Sequence, residues 1–254
     1  MKKISLAIYV VSGMIFTSCE KADQVGDKVE KIELDFLQGF RDGRTEPYLL
    51  AKGGNYSCNG VPIAYQFHKT GEVLYLEFGT TYGSDCNGSS NRYQAHAYVY
   101  PGFLEKGNYM FEISNCGRTV HGVLSVSENK YTLTKSGGST VTIPDDPLVC
   151  YLTPADAIWG YVFSNPSTAE QNFMDSLYTL GAVPYAPLLE NGNYYYYSIN
   201  SGMPVLNFHV SGTSFLLKSA IDTTSLHSLF NHFAASASIR TGEIQTGTGA
   251  YFRL

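Results

Sequence analysis

The sequence contains two adjacent alternating runs, Val61-Pro62-Ile63-Ala64-Tyr65-Gln66-Phe67 and Leu74-Tyr75-Leu76-Glu77-Phe78. In each run, every second residue is large and apolar, and this period of two is typical of a β-strand with one buried face. The two runs are separated by a short polar segment that suits a hairpin connection. They therefore predict a pair of adjacent antiparallel strands.

The same alternation recurs on both sides of this hairpin, throughout residues 32–146. Ile32, Leu34 and Phe36 alternate with acidic residues at its beginning. Further candidate strands lie at 93–100, 108–114, 119–127, 130–135 and 139–143. With seven or eight strands in about 110 residues and no helical stretch between them, the sequence predicts an antiparallel β-sandwich.

One hairpin phrase in this region suggests a particular kind of sandwich. Leu104-Glu105-Lys106-Gly107-Asn108-Tyr109, followed by two more predicted strands, resembles the closing hairpins of immunoglobulin-like modules. The resemblance implies an immunoglobulin-like fold for residues 32–146. It implies no function, because proteins of this fold carry out many unrelated functions.

The pattern changes after Pro144-Asp145-Asp146-Pro147, which predicts a domain boundary there. Ser167-Thr168-Ala169-Glu170 has the spacing of a capping box, and apolar residues then recur every three or four positions. Residues 147–254 are therefore predicted to form a smaller α+β domain, and the tail 249–254 could add an edge strand. Its predicted elements are a helix at 168–180, strands at 194–199, 204–210 and 213–219, and a helix at 224–237.

The N-terminus has the three parts of an export signal: Met1-Lys2-Lys3, a mostly apolar run over residues 4–15, and Phe16-Thr17-Ser18-Cys19. The apolar run is too short for a membrane-spanning helix, which needs about 20 apolar residues. A cysteine directly after two small residues resembles the lipobox of bacterial lipoproteins. The resemblance implies a signal peptide over residues 1–18 and lipid modification of Cys19. The alternative is a plain signal with an incidental cysteine.

Residues 19–31 are predicted to be the lipidated cysteine and a charged tether, because this segment has many charges and no apolar period. Each buried acyl methylene contributes about 0.8 kcal/mol, so the several chains of such a lipoprotein would anchor it firmly. The acidic residues after Cys19 also resemble the export signals of some Gram-negative surface lipoproteins. We therefore expect a lipid-anchored protein of the outer membrane, either at the cell surface or on the periplasmic face.

The other cysteines are Cys58, Cys86, Cys116 and Cys150, and none of them forms a C-x-x-C pair typical of a zinc site. In an oxidising export compartment, disulfides are the default for four such residues. Cys58 and Cys86 flank the predicted hairpin at its open end, which favours a Cys58–Cys86 bridge. The same reasoning leaves Cys116 to pair with Cys150.

The composition argues against nucleic acid as a partner. The chain has 17 Lys and Arg against 22 Asp and Glu, a formal net charge of −5. Removal of the signal would take away Lys2 and Lys3, and the loss of these two positive charges would give −7. Nucleic-acid binding is driven by basic surfaces, so an acidic chain of this kind is not expected to bind it.

The sequence contains no catalytic fingerprint. The Gly-x-Ser-x-Gly elbow, the dinucleotide and P-loop motifs and His-Glu-x-x-His are all absent. His227 and His232 are five residues apart, where two metal ligands on one helix face would be four apart, and Asp145 and Asp146 are best interpreted as a solvated turn. We therefore expect no cofactor, no metal site and no catalytic residue, and we favour a protein that is not an enzyme.

The most suggestive local feature is Asn193-Tyr194-Tyr195-Tyr196-Tyr197. In a strand, alternate rings of such a run would point outward, and aromatic rings with polar tips suit stacking against sugars. Tyr195, Tyr197 and the single tryptophan, Trp159, are therefore candidate ligand-binding residues. The alternative, which we favour for each of them, is ordinary packing in the core.

Three functions are consistent with these patterns. The first is a non-catalytic binding lipoprotein that captures a glycan or another extracellular ligand. The second is a structural or adhesive subunit of a cell-envelope assembly, with an envelope protein as its partner. The third is a hydrolase whose site is assembled from residues that are distant in sequence.

Overall fold

The computed structural model describes residues 29–56, 61–81, 93–165, 167–185, 188–207, 212–236 and 239–253. In this part of the chain the structure is mainly β, with several sheets and two helices. The strands up to Tyr151 are β1 (Ile32–Arg41), β2 (Arg44–Tyr56), β3 (Ile63–Thr70), β4 (Val73–Thr81), β5 (Tyr93–Val99), β6 (Gly107–Asn115), β7 (Arg118–Val126), β8 (Lys130–Ser136), β9 (Val141–Thr142) and β10 (Leu148–Tyr151). The elements that follow are β11 (Ala157–Phe163), α1 (Thr168–Thr179), β12 (Val183–Pro184), β13 (Gly192–Asn193), β14 (Tyr197–Asn200), β15 (Met203–Leu206), β16 (Thr213–Lys218), α2 (Thr223–Ala235), β17 (Thr241–Thr246) and β18 (Tyr251–Arg253).

The first ten strands form two sheets that share one hydrophobic core. A four-stranded sheet has the order β5-β2-β1-β9, and a six-stranded sheet has the order β10-β8-β7-β6-β4-β3. The predicted alternation is confirmed, since every second residue of β1 from Ile32 to Gln38 is buried. The shared core includes Ile32, Leu34, Leu49 and Ala97 from the first sheet and Leu76, Phe111, Ile113 and Leu124 from the second.

The predicted hairpin is confirmed, because β3 and β4 pair antiparallel. The expectation of wholly antiparallel sheets is wrong, however. β4 pairs parallel to β6, with Val73 opposite Met110, and β1 pairs parallel to β9. β5 lies between β4 and β6 in the chain but belongs to the other sheet, so β6 returns beside β4 in the same direction.

The folded part begins earlier than predicted. Val29 falls within the predicted charged tether, yet it is fully buried in the shared core. Gly53 makes room for it, because a Cβ at this position would lie 2.8 Å from Val29 Cγ1. The chain also leaves the six-stranded sheet later than the predicted boundary at residue 146, since Leu148 of β10 pairs with Leu133 of β8.

The second part contains a five-stranded sheet of order β12-β16-β11-β17-β18 and a three-stranded sheet of order β13-β14-β15. The helices α1 and α2 confirm the two predicted helices, and Phe173, Phe230 and Phe215 join them to the five-stranded sheet in one cluster. The three predicted strands correspond to β14, β15 and β16, but the prediction is incomplete because the central strand β11 was missed. β11 is buried on both faces and therefore shows no period of two.

The two helices begin in different ways. Asp222 caps α2, since its Oδ1 accepts a hydrogen bond from the Ser225 backbone N–H at 2.9 Å. The predicted capping box of α1 does not form, because the Ser167 side chain makes no cap hydrogen bond. Glu170 is buried instead, and its carboxylate accepts hydrogen bonds from Ser164 N at 2.8 Å and Thr213 Oγ1 at 2.6 Å. This carboxylate therefore ties the start of α1 to β11 and β16.

Candidate binding site

The outward face of the four-stranded sheet carries a row of aromatic side chains. In β5, Ala95, Ala97 and Val99 are buried, so the alternate residues His96 and Tyr98 point outward. Directly paired residues of an antiparallel sheet share a face. The pairing of Leu50 with Tyr98 therefore places Leu50 outward as well, together with Tyr48 two residues before it.

The rings of this row are in contact with one another. The ring of Tyr48 lies 5.9 Å from that of Tyr98 and 5.1 Å from that of Tyr100, measured between centroids. The His96 ring follows Tyr98 at 5.2 Å. Tyr98 and Tyr100 are accessible, with 45% and 53% of their surface exposed. These separations are typical of aromatic pairs that stabilise each other.

Two features hold this row against the sheet. Gly39 lies beside Tyr48, and a Cβ at Gly39 would be 3.3 Å from Tyr48 Cε1. The absence of a side chain at this position lets the tyrosine ring lie close to the backbone. On the other side, the Tyr65 hydroxyl of β3 donates a hydrogen bond to the Tyr98 carbonyl at 2.8 Å. The rings therefore lie on a sheet whose backbone is held in place by a hydrogen bond from β3.

Tyr195 comes from the second part of the chain and lies near Tyr48. It belongs to the turn between β13 and β14, where Tyr194 N donates to Tyr197 O at 2.8 Å. Its φ of 69° is in the left-handed region, and its N–H is held by Asn193 Oδ1 at 2.8 Å. With 39% of its surface exposed, its side chain is accessible to a ligand.

The surroundings of Tyr48 favour its neutral form. Burial raises the pKa of Tyr48 to about 12, and the neighbouring Tyr195, Tyr100, Tyr196 and Tyr98 add to the shift. A tyrosinate would be disfavoured at this position because several other phenol oxygens lie nearby. We call Tyr48, Tyr98, Tyr100, His96 and Tyr195 the aromatic face.

Polar groups border the aromatic face along β1 and β2. Lys52 Nζ lies 3.3 Å from Glu33 Oε1 and 3.2 Å from Asp35 Oδ2. Burial lowers the pKa of Lys52, but the hydrogen bonds and charges of Asp35 and Glu33 outweigh it, so that the pKa of Lys52 is raised. A cavity of about 240 Å³ adjoins this border, and its lining includes Asp35, Asp145, Asn193 and Tyr195.

Two of the three predicted ligand-binding residues do not reach this surface. Trp159 and Tyr197 both have 0% of their surface exposed. They pack with Phe40 of β1 and Tyr196, so that the Trp159 ring lies 5.3 Å from Tyr196 and 5.6 Å from Tyr197. Both are core residues of a cluster that joins the two parts of the chain, which is the alternative favoured for them from the sequence. The prediction of a strand at 194–199 is also wrong at its start, since the first three tyrosines form a turn.

Gln38 fixes the position of residues 194–196 relative to the sheets. We call this segment, between β13 and β14, the tyrosine turn. This side chain is almost completely buried, and its Nε2 donates a hydrogen bond to the Tyr151 carbonyl. Its Oε1 accepts one from the Thr153 N–H at 3.1 Å. The Tyr196 hydroxyl donates to the Gln38 carbonyl at 3.4 Å. The residue next to Tyr195 is thereby bound directly to β1.

The predicted Cys116–Cys150 disulfide is wrong. Cys150 is a free thiol, and it lies opposite Tyr131, which pairs with the last residue of β7. Cys116 lies in the turn at the other end of β7, whose 9 residues span about 27 Å. Bridged cysteines need Cα atoms about 4.4–6.8 Å apart. The predicted Cys58–Cys86 bridge and the lipidated Cys19 lie outside the described residues.

The histidines within the described residues have structural neighbours. His68 stacks on Tyr75 at 4.6 Å, and His227 stacks on Phe252 at 4.9 Å. His121 Nδ1 lies 3.9 Å from Glu112 Oε1. The described residues contain no group of three His, Cys, Asp or Glu side chains that could hold a metal ion.

Sequence reasoning missed Tyr48, Tyr98 and Tyr100 because it gave most weight to the run of four tyrosines. The strict alternation of small apolar residues with His96, Tyr98 and Tyr100 could have identified one outward row. The position of Tyr48 beside that row depends on the pairing of β2 with β5. Two strands separated by 36 residues of sequence cannot be paired from their own patterns, since register is set by the whole sheet.

Comparison of the chain with protein-family models, with curated proteins and with solved structures gave no match. Neither helix of the described part is both long enough and apolar enough to span a membrane.

Proposed function

We propose that this chain is an exported lipoprotein, anchored in the outer membrane by lipid on Cys19, whose folded part is a non-catalytic module that binds a glycan. The observation that carries this proposal is the aromatic face. Tyr98, Tyr100 and Tyr195 are each at least 39% exposed, and the rings of Tyr98 and Tyr100 lie 5.9 Å and 5.1 Å from that of Tyr48. A supported row of accessible rings is the kind of surface that a binding module needs.

A glycan fits this surface for two physical reasons. One side of a sugar ring often presents C–H groups, which stack on the face of a tyrosine, and the tyrosine hydroxyl can bond to the sugar's own hydroxyls. The border of Lys52, Glu33 and Asp35 adds a donor and several acceptors beside the rings. Ligand sites commonly combine apolar walls with a small number of placed polar groups.

The proposal has consequences for the organisation of the chain. Residues 1–18 are the removed signal peptide, and the residues from Cys19 to the start of the core form a tether. We interpret the first ten strands as an immunoglobulin-like β-sandwich and the remainder as a smaller α+β domain. The module would work at the cell surface or on the periplasmic face of the outer membrane.

A glycan array followed by calorimetry on the full chain tests the binding function. We expect Tyr98→Ala and Tyr100→Ala each to weaken binding of the selected glycan about tenfold, because each removes one stacking ring. Tyr178→Ala is the matched control, since Tyr178 is an exposed tyrosine of α1 outside the aromatic face. The absence of binding to any glycan of a broad array would contradict the proposal, and so would equal binding by all three variants.

A role as a subunit of an envelope assembly is the second candidate, and the edge strand β3 favours it. β3 ends the six-stranded sheet, and the isolated bridge described on that side, between Pro62 and His96, lies just before β3 begins. An uncovered strand edge can pair with a strand of another protein. Under this function, crosslinking in cells captures an outer-membrane protein, and Tyr98→Ala leaves the capture unchanged.

The hydrolase hypothesis has one feature to support it, the cavity lined by both Asp35 and Asp145. Two carboxylates beside a bound sugar are the usual machinery of glycoside hydrolysis. Asp35 is already held by Lys52 at 3.2 Å, which suits a binding role better. We therefore expect a bound oligosaccharide to remain intact after prolonged incubation. Release of new reducing ends by the unaltered chain, lost in the Asp145→Asn variant, would favour hydrolysis instead.

A further inference from the structure

A second cavity lies where β1 enters the sheets, apart from the aromatic face. Its volume is about 430 Å³. The described lining residues are Glu30, Lys31, Cys116, Arg118, Ser139 and Thr140. Two cationic residues and two hydroxyl-bearing residues therefore line this space, together with one acidic residue.

Among the described residues, neither Lys31 nor Arg118 takes part in an ion pair. The cations that do are Lys52, Lys106, Lys130, Lys218 and Arg253. Two positive charges that share a cavity repel each other, and a bound anion would relieve this repulsion.

Thr140 provides an independent indication that the cavity takes a ligand. Only 7% of its surface is exposed, and its Oγ1 has no hydrogen-bond partner among the described residues. A buried hydroxyl without a partner lowers stability, so such groups in proteins usually have one. A ligand oxygen in the cavity would supply the missing acceptor.

The walls of the cavity are held in place by the fold. Ile32 N donates to the Thr140 carbonyl at 2.9 Å, which fixes the loop before β9 against the residue that follows Lys31. The buried Asn115 Nδ2 donates to the carbonyls of Val29 at 2.9 Å and Glu30 at 3.4 Å. The cavity therefore exists before any ligand arrives, and binding would need little reordering.

We propose that this cavity binds a phosphate group, with Arg118 and Lys31 neutralising its charge and the Thr140 and Ser139 hydroxyls donating to its oxygens. A guanidinium matches two phosphate oxygens at once, which makes arginine suited to this anion. The inference does not depend on glycan binding, because it uses none of the residues of the aromatic face.

Two sources could supply this phosphate. One is free inorganic phosphate, and the other is the phosphodiester of a lipid headgroup. The lipid source is attractive because Cys19 precedes Val29 by ten residues, which span at most about 35 Å when fully extended. If Cys19 carries lipid, this cavity lies within reach of the membrane surface.

Calorimetry on the full chain at low ionic strength tests the site with two probes, inorganic phosphate and glycerophosphoglycerol, the water-soluble headgroup of phosphatidylglycerol. We expect saturable binding that Arg118→Gln weakens about tenfold, because a charge-assisted hydrogen bond is lost. Thr140→Val should weaken binding several-fold without lowering the melting temperature, since the deleted hydroxyl has no hydrogen-bond partner among the described residues. Arg41→Gln, an exposed cation at the far end of β1, is the matched control.

Tighter binding of glycerophosphoglycerol would identify a lipid headgroup as the ligand, and tighter binding of inorganic phosphate would identify the free anion. Either result supports the site when Arg118→Gln weakens it and Arg41→Gln does not. Equal weakening by both arginine variants would reveal unspecific charge attraction and overturn the proposal. Failure of both probes to bind the unaltered chain would overturn it as well, and so would unchanged binding in Thr140→Val. These results are independent of the tests of glycan binding that use the Tyr98→Ala and Tyr100→Ala variants.

Discussion

The Phe40 ring stacks on the Tyr196 ring, with centroids 5.4 Å apart and planes inclined by 17°. Phe40 belongs to β1, whereas Tyr196 lies in the turn between β13 and β14. This contact joins the first pair of sheets to the tyrosine turn, and Tyr195 is the residue just before Tyr196 in that turn. The aromatic face therefore depends on packing between two parts of the chain that are far apart in sequence.

Phe40→Ala should destabilise the fold and also weaken glycan binding. The substitution removes a ring that packs on Trp159 as well as on Tyr196, and losing a partly buried phenylalanine of this kind costs about 2–4 kcal/mol. Denaturant unfolding measures this loss. Phe103→Ala is the control, since Phe103 is 67% exposed and its loss should cost about 0.5 kcal/mol or less. Equal stability of the two variants would contradict the importance of this contact.

Glu170→Ala should destabilise the second part of the chain. The substitution leaves the buried Ser164 N–H without its acceptor, and such an unsatisfied group costs about 1–3 kcal/mol. Thr213 Oγ1 loses its acceptor at the same time. Glu105→Ala removes an exposed carboxylate and should change the free energy of unfolding by about 0.5 kcal/mol at most. Thermal unfolding of the two variants side by side checks the difference.

Cys150 should be an unreactive free thiol in the folded protein. Burial raises the pKa of Cys150 to about 12, so almost none of it is thiolate at neutral pH. A thiol reagent should therefore modify Cys150 only after unfolding, and mass spectrometry of the labelled peptide would detect this. Isolation of a peptide in which Cys150 is bridged to another cysteine would contradict the structure.

Stability should fall at high pH because several tyrosines are held in the neutral form. Burial raises the pKa values of Tyr48, Tyr131, Tyr194 and Tyr196 from 10.0 to about 12 in the folded chain. The folded state therefore binds more protons than the unfolded state between these values. Their contribution to stability is complete below about pH 10 and is lost as the pH rises through about 12. Ultraviolet titration of tyrosinate alongside circular dichroism should show the late ionisations coinciding with unfolding.

Much of the local structure could be predicted because it follows from short-range patterns. The alternation around Ile63 and Leu76 predicts β3 and β4, and the apolar spacing around Phe173 predicts α1. β11 could not be predicted in this way, since a strand buried on both faces has no alternation. Glu170 was predicted as part of a capping box, but Ser164 and Thr213 compete for its carboxylate once α1 packs on the sheet.

The sequence by itself determined the features that depend on neighbouring residues: strand-forming alternation, helix-forming spacing, an acidic composition and a lipobox-like N-terminus. Only the tertiary structure decided which aromatic side chains are buried and which are accessible. Trp159 and Tyr197 became core, whereas Tyr48, Tyr98 and Tyr100 came together on one sheet face. The physical reason is that strand pairing and burial are set by the packing of distant segments, which residues read in order do not specify.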